Sequence, residues 1–506
     1  MGIWDEFAAS DAYKDDDLSN IMVIFGGTGD LAKRKIFPAL YHLLRENTLP
    51  EKFAIVAIGR RQKNNEEYRE YIYNFMKKEL NIKIDEEVWS NLSQRIYYLP
   101  FKFEDSAGYE RLKNTLKNLE NTYHTHGNRI YYLAVAPEYF GVIVNQLKKQ
   151  EMTKSENSWQ RVVIEKPFGR DLQSAQRLND EITRVFPEDN IYRIDHYLGK
   201  EMIQNIMVLR FTNTIFEPIW NSQYIDNIQI SSNEQLGVDT RGAYYEKAGA
   251  LRDMVQNHMM QLLTLTAMEP PIKLDNRSIG DEKKRVLRSL QEYTHESIFK
   301  DIVRGQYREG IIDGKEVKSY RQEVGVNPQS STETFVAMKL AVNNYRWAGV
   351  PFYIRTGKRM PMKSTEIIVE FKRPPEVLFF KEYERLQPNI LVMRIQPREG
   401  VFLRFNAKKP GMKSQIIPVD MDYYQNCQLY ENCPDAYERL IYDVMRGDST
   451  LFAHWDEVEY SWRIVDNISL AWCLKPEEVF EYDSGSRGPQ AANELLERDN
   501  RKWWNV

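Results

Sequence analysis

Seven consecutive residues, Ile194-Asp195-His196-Tyr197-Leu198-Gly199-Lys200, bring together a carboxylate, an imidazole, a phenol and an ammonium. They follow the apolar run ending at Ile194, so the segment reads as a strand end passing into a helix with Asp195 as N-cap. On such a helix His196 and Lys200 lie four residues apart on one face. Free backbone N–H groups flanked by an imidazole and an ammonium suit an anion such as a phosphate. The plain alternative is a helix start with solvated charges. A second candidate is His258, which shares one helical face with Leu251, Met254, Val255 and Leu262. Taken alone, a histidine on an apolar face is more often a hydrogen-bonded core residue than a catalyst. Hydride removal from an alcohol, however, needs a base for the hydroxyl proton, and imidazole titrates near neutrality. Asp195 is the candidate to orient that imidazole and stabilise its cation. No local spacing brings the two together, so their meeting is an expectation about the fold.

A glycine turn supplies the second kind of chemistry. Gly26-Gly27-Thr28-Gly29-Asp30-Leu31-Ala32-Lys33 follows a short apolar strand and opens a helix. Gly26, Gly29 and Ala32 form a G-x-x-G-x-x-A variant of the dinucleotide fingerprint, whose small residues let the backbone approach a pyrophosphate at a helix N-terminus. It is not a P-loop, since Lys33 lacks the glycine before it and the hydroxyl residue after it. The next strand ends Gly59-Arg60-Arg61, where an NAD enzyme would place an acid for the ribose hydroxyls. Two arginines suit a 2′-phosphate instead, so NADP is expected as cofactor, with NAD as a weaker alternative.

These residues need elements to hold them. From Ile21 to Ile194 short apolar runs alternate with amphipathic helical stretches, the pattern of a parallel sheet covered on both faces. Beyond Lys200 the texture changes. A long helix is expected from about Gly242 to Met268, closed by Pro270-Pro271. Candidate strands then follow one another over Thr334–Val342, Phe352–Arg355, Glu366–Phe371, Ile390–Gln396 and Val401–Ala407, which favours an antiparallel sheet. The expected fold class is therefore α/β followed by α+β. The expected division is a mobile acidic arm over residues 1–20, a Rossmann-type domain over 21–195, and a larger α+β domain for substrate and oligomerisation over 196–506. That boundary falls at the polar cluster, and domain junctions commonly bind ligands.

The 506-residue chain has a formal net charge of −4, which argues against a nucleic-acid binder working through a basic face. No apolar run approaches the roughly 20 residues that span a bilayer, so no membrane partner is expected. Three cysteines, Cys427, Cys433 and Cys473, match neither a disulfide framework nor zinc-ligand spacing. A reduced cytoplasmic enzyme without a metal is the simple reading.

Taken together, the chain resembles the glucose-6-phosphate dehydrogenase family. The landmarks are the glycine turn, Glu165-Lys166-Pro167-Phe168-Gly169, Arg193-Ile194-Asp195-His196-Tyr197-Leu198-Gly199-Lys200, Arg252-Asp253 with Gln256-Asn257-His258, Gly349-Val350-Pro351-Phe352 through Lys358, and Pro434-Asp435-Ala436-Tyr437-Glu438-Arg439-Leu440. They run in order over nearly the whole chain. The resemblance implies oxidation of β-D-glucose 6-phosphate at C1 with NADP to 6-phosphogluconolactone, the first oxidative step of the pentose phosphate pathway, by a homodimer or homotetramer. It implies His258 as general base with Asp195 as partner, and His196, Tyr197 and Lys200 on the sugar phosphate. It further implies Lys166 touching both cofactor and sugar, and Glu234, Asp253, Lys358, Lys363 and Gln396 contacting the sugar or its phosphate. For the cofactor it implies Gly26, Gly27, Thr28, Gly29, Asp30 and Leu31 at the turn, and Arg61 at the 2′-phosphate.

Two departures stand out. The family's Glu-Pro-Phe-Gly is here Glu234-Gln235-Leu236-Gly237, and Lys363 stands where some members carry an arginine, which loses bidentate geometry but keeps the charge. Two other readings compete with this one. One is a related Rossmann sugar oxidoreductase acting on another sugar, which would not need the phosphate cluster. The other is a non-catalytic sensor of nucleotide or sugar phosphate, which would not need His258 and Asp195 intact.

Overall fold

The computed structural model describes residues 18–155, 157–374, 386–412, 415–424 and 435–505. The expected arm, apart from Leu18, Ser19 and Asn20, lies outside the described residues, as do Cys427 and Cys433. Leu18, Ser19 and Asn20 are buried, and Asn20 already opens the first strand.

The chain divides into two compact units, one running to Gly199 and taking back residues 435–455 and 275–277, the other holding the remainder. Strands of the first unit are β1 (Asn20–Phe25), β2 (Phe53–Gly59), β3 (Ile96–Pro100), β4 (Arg129–Leu133), β5 (Gln160–Ile164) and β6 (Ile191–Ile194). Those of the second are β7 (Ile225–Asn233), β8 (Ile302–Ile312), β9 (Lys315–Val317), β10 (Phe335–Ala341), β11 (Pro351–Gly357), β12 (Ser364–Phe371), β13 (Ile390–Gln396), β14 (Gly400–Lys408) and β15 (Ile416–Tyr424). The short β16 (Phe452–Ala453) returns to the first sheet, and β17 (Phe480–Ser484) joins the second.

The first sheet has the order β16-β6-β5-β4-β1-β2-β3, parallel throughout except for β16 against β6. Residues of β1 and β2 are buried on both faces, as their unbroken apolar runs require when helices cover both sides. The order reverses between β1 and β4, the switch point at which doubly wound sheets bind ligands beyond the strand ends. The later helix Ala436–Arg446 also belongs to this unit. Arg161 donates to the carbonyls of Val444 and Met445 near its C-terminus at 2.8 and 2.7 Å, and His42 Nδ1 meets Glu438 at 2.7 Å near its start.

The second sheet has the order β15-β14-β13-β12-β7-β11-β10-β8-β17, mainly antiparallel, with β7–β11 and β8–β17 parallel. The helix expected over Gly242–Met268 is three pieces: an α-helix Gly242–Ala250, a π-helix Leu251–Met259 and an α-helix Met260–Ala267. Gly249, at φ 65° and ψ 173°, breaks it, a conformation glycine adopts without steric cost. At its far end the orphan carbonyls are taken up by buried side chains. Arg210 donates to Leu265 and Met268 carbonyls at 3.0 and 2.8 Å, Trp220 to Thr266 at 2.9 Å and Trp347 to Ala267 at 2.7 Å. Among the described residues no helix is long and apolar enough to cross a membrane.

Candidate active site

In the first unit the glycine turn sits where the switch point requires it. Gly26 and Gly27 N–H groups both donate to the Ile58 carbonyl, at 3.0 and 2.8 Å, and Gly29 N–H donates to Gly26 O at 2.7 Å. Gly26 has φ +87°, and a Cβ there would run into the Ala134 backbone; a Cβ on Gly29 would stand 2.9 Å from Gly26 O. The helix opens at Asp30 and Leu31 straight from this turn, so the residues present fit a pyrophosphate on a helix N-terminus. Asp30 is exposed; burial is the largest single influence on its carboxyl and raises it, but the bonds and charges of Arg34 and Lys33 together outweigh that and hold it below the usual range.

Beside this turn, Gly59 ends β2 so tightly that a Cβ would lie 3.1 Å from Thr28 Oγ1. Arg60 and Arg61 follow with exposed side chains, and the Arg61 carbonyl accepts from Tyr98 OH at 2.7 Å. An arginine pair next to Thr28 and the turn fits a phosphate on the adenosine ribose.

The dense polar segment is not the helix start that its sequence suggested. Residues 196–199 form turns, and the helix begins at Glu201 with Lys200 as N-cap. Asp195 accepts the Tyr197 N–H at 2.9 Å on Oδ1 and the Leu198 N–H at 3.0 Å on its carbonyl. An aspartate two residues before a free N–H closes an Asx turn as readily as it caps a helix, which is why the two look alike in sequence. His196 and Lys200 therefore do not share a helical face. Within the turn, Asp195 and Tyr197 are buried, and the half-buried His196 packs edge-to-face on Tyr197 with ring centroids 5.1 Å apart.

Lys166 follows β5, the strand next to β6, and its bond to Pro167 is cis. The residue before it forms a cluster that sequence reasoning missed. Glu165 is buried, accepts from Tyr132 OH at 2.6 Å and is hydrogen-bonded to Tyr437. Burial pushes its carboxyl up to about 7, although both phenols and the Lys166 charge pull the other way. The only hint in the sequence was an acid beside a lysine at a strand end.

In the second unit, Lys200 Nζ donates to Gln396 Oε1 at 2.9 Å, and Gln396 Nε2 donates to Thr365 Oγ1 at 2.8 Å. Half-buried Glu399 lies near enough to Lys200 for that ammonium to offset part of the rise burial causes in its carboxyl. Lys358, at the end of β11, forms an ion pair with Glu234, which follows β7; the altered residues after Glu234 leave this contact in place. The Lys358 ammonium also stands over the Tyr245 ring, 4.9 Å from its centroid. Tyr245 feels the charges of both Asp253 and Glu234, and burial, the largest cause, raises its phenol well above the ordinary value. Asp253 further accepts from Tyr244 OH at 3.4 Å. Asp253 and His258 both lie on the π-helix; His258 is 1% exposed and its backbone N–H donates to Asn257 Oδ1 at 2.6 Å. Lys363 is exposed just ahead of β12. So the structure groups Lys200 with Gln396, and Glu234 with Lys358 around Tyr245 and Asp253.

A doubly wound sheet with this glycine turn, combined with a second unit on a mainly antiparallel sheet, defines a dinucleotide-binding oxidoreductase. Residues 23–205 match the model of the glucose-6-phosphate dehydrogenase NAD binding domain, and residues 207–504 that of the glucose-6-phosphate dehydrogenase C-terminal domain. The glucose-6-phosphate 1-dehydrogenase of Bacillus subtilis is 50% identical, covering 96% of this chain and 98% of its own. That of Chlamydia pneumoniae is 46% identical over 96% and 95%. A solved glucose-6-phosphate dehydrogenase in complex with its substrate glucose-6-phosphate superposes with a TM-score of 0.88 at 35% identity, covering 96% of this chain and 99% of that one. The chain belongs to the glucose-6-phosphate dehydrogenase family.

Proposed function

We propose that the protein oxidises β-D-glucose 6-phosphate at C1, giving 6-phosphoglucono-δ-lactone, with NADP as hydride acceptor. The observation that carries this reading is similarity over nearly the full length to named glucose-6-phosphate dehydrogenases, 50% identical over 96% of this chain in the case of Bacillus subtilis. When bound, the nicotinamide supplies the hydride acceptor, and the chain's own residues do the rest. His258 takes the C1 hydroxyl proton as the C1–H pair leaves and the C1–O double bond forms. Asp195 holds the imidazole in the accepting tautomer and stabilises the imidazolium that results. His196, Tyr197 and Lys200 bind the sugar phosphate, with Gln396 steadying Lys200. Lys363 adds a further, exposed charge for that phosphate. Glu234, Asp253 and Lys358 fix the sugar hydroxyls, and Lys166 bridges sugar and cofactor. Gly26 to Leu31 hold the pyrophosphate, and Arg61 meets the 2′-phosphate.

The first unit, which runs to Gly199 and takes back residues 435–455, acts as the cofactor domain, and the second unit as the substrate and assembly domain. The protein works in the cytoplasm as a homodimer or homotetramer. The edge strand β15, with exposed Met421, Tyr423 and Tyr424, supports assembly through the second sheet. A spectrophotometric assay of cofactor reduction across glucose 6-phosphate, glucose, NADP and NAD tests the catalytic reading. Reduction is expected only with the phosphorylated sugar, and faster with NADP. Equal rates on glucose would refute it.

A further inference from the structure

The helical run bearing His258 restarts in mid-course. Gly249, with φ +65°, takes the chain out of the helix Gly242–Ala250, and the chain re-enters as the π-helix Leu251–Met259 that carries Asp253 and His258. Such π-helical turns are rare and concentrate at functional sites. A fresh helix start leaves backbone N–H groups with no acceptor inside the helix. Here one residue from outside the helix, Glu333 in the loop before β10, takes the first two. Ala250 N–H donates to the Glu333 carbonyl at 3.0 Å, and Leu251 N–H to Glu333 Oε1 at 2.9 Å. A Cβ on Gly249 would collide with that same carboxylate, so both the backbone angle and the available space call for glycine.

Glu333 is buried, which raises its carboxyl, while the Leu251 N–H and the Arg252 and Arg304 charges act against that rise. The next residue ties the same point into the sheet. Thr334 N–H donates to Gly305 O at 2.8 Å, and its carbonyl accepts the Lys358 N–H at 3.0 Å. Two successive residues thus hold the start of the His258 helix and the backbone of Lys358, whose ammonium pairs with Glu234. Each residue of a π-helix turns through a smaller angle than in an α-helix. Relaxation of this segment to α geometry would therefore swing His258, far along it from Leu251, to another direction.

We infer that Glu333 is a positioning residue: by capping the π-helix from outside, it holds His258 and Asp253 in fixed relation to the Lys358–Glu234 pair. This rests on the reading of His258 as proton acceptor. Glu333 acts only through the helix.

The test uses the full-length enzyme with Glu333→Ala, Glu333→Asp, Glu333→Gln and, in parallel, His258→Asn. Turnover is measured at saturating substrates, KM for NADP is recorded, and amide exchange is followed by mass spectrometry. Glu333→Ala should lower kcat ten- to a hundredfold, in the range a misplaced group costs, with KM for NADP within about twofold. Peptides over 250–259 should exchange faster while β10 keeps its protection. Glu333→Asp, which keeps the carboxyl group but shortens the reach, should behave alike and carries the test should Glu333→Ala not fold. Glu333→Gln keeps the acceptor oxygen and should restore kcat to within about threefold. A folded Ala or Asp variant with normal kcat, or a Gln variant as slow as either, overturns the positioning role. Normal kcat in His258→Asn would instead defeat the proton-acceptor reading.

Discussion

Lys200 Nζ and Gln396 Oε1 lie 2.9 Å apart, linking the N-cap of one helix to the last residue of β13. The same Gln396 donates to Thr365 on β12, and Thr365 meets Ser232 on β7 at 3.1 Å, so the lysine is anchored through a polar row that crosses the sheet. A lysine pays for loose rotamers with entropy when it captures an anion, and anchoring it beforehand lowers that cost.

Lys200→Ala should therefore raise KM for glucose 6-phosphate by a factor on the order of 10 to 100, the loss of a charge-assisted contact, with a smaller effect on KM for NADP. Gln396→Ala should raise it less, since the charge remains. Steady-state kinetics with both substrates varied checks this, and unchanged sugar-phosphate KM in Lys200→Ala removes Lys200 from the phosphate site.

Arg61→Ala should weaken NADP far more than NAD, because only NADP carries the 2′-phosphate that an arginine at the end of β2 can meet. The ratio of kcat/KM for the two cofactors is the readout. An equal loss for both would place Arg61 elsewhere on the dinucleotide.

Glu165 gives a prediction about pH and stability. Its carboxyl rises from 4.5 to about 7 on folding, so across that window the native state holds more proton than the unfolded chain. Stability from this group is full below 4.5 and is lost as pH rises through about 7, amounting to of order 3 kcal/mol. Asp443, pushed up to about 7 by burial despite Arg439, acts in the same direction. Urea unfolding at several pH values should show Glu165→Gln with a shallower fall in stability over this window than the parent, keeping the part due to Asp443. Identical slopes would mean that Glu165 does not change protonation on folding.

Local signals were legible and tertiary ones were not. The glycine turn and strands β1 to β6 showed because small residues and short apolar runs act over a few positions. Asp195 was misassigned as an N-cap because an Asx turn and a helix cap draw on the same side chain. The break at Gly249 stayed hidden because Leu251, Met254, Val255 and His258 keep a spacing that an unbroken α-helix would also place on one face. The return of Ala436–Arg446 and β16 to the first unit, and with it the Glu165–Tyr437 contact, depends on pairing across most of the chain. The same holds for Glu333, an acid with no local motif whose partner amide lies on another element.

The proposed turnover depends on proton transfer from the sugar hydroxyl to His258 with Asp195 as its support. A double-mutant cycle in kcat with His258→Asn, Asp195→Asn and the pair tests this most directly. Each single change is expected to lower kcat by a factor on the order of 10² to 10⁴ with KM little altered, and the double variant to be little worse than the poorer single, as for groups acting as a unit. Losses that simply multiply, or a raised KM at near-normal kcat in His258→Asn, would contradict it.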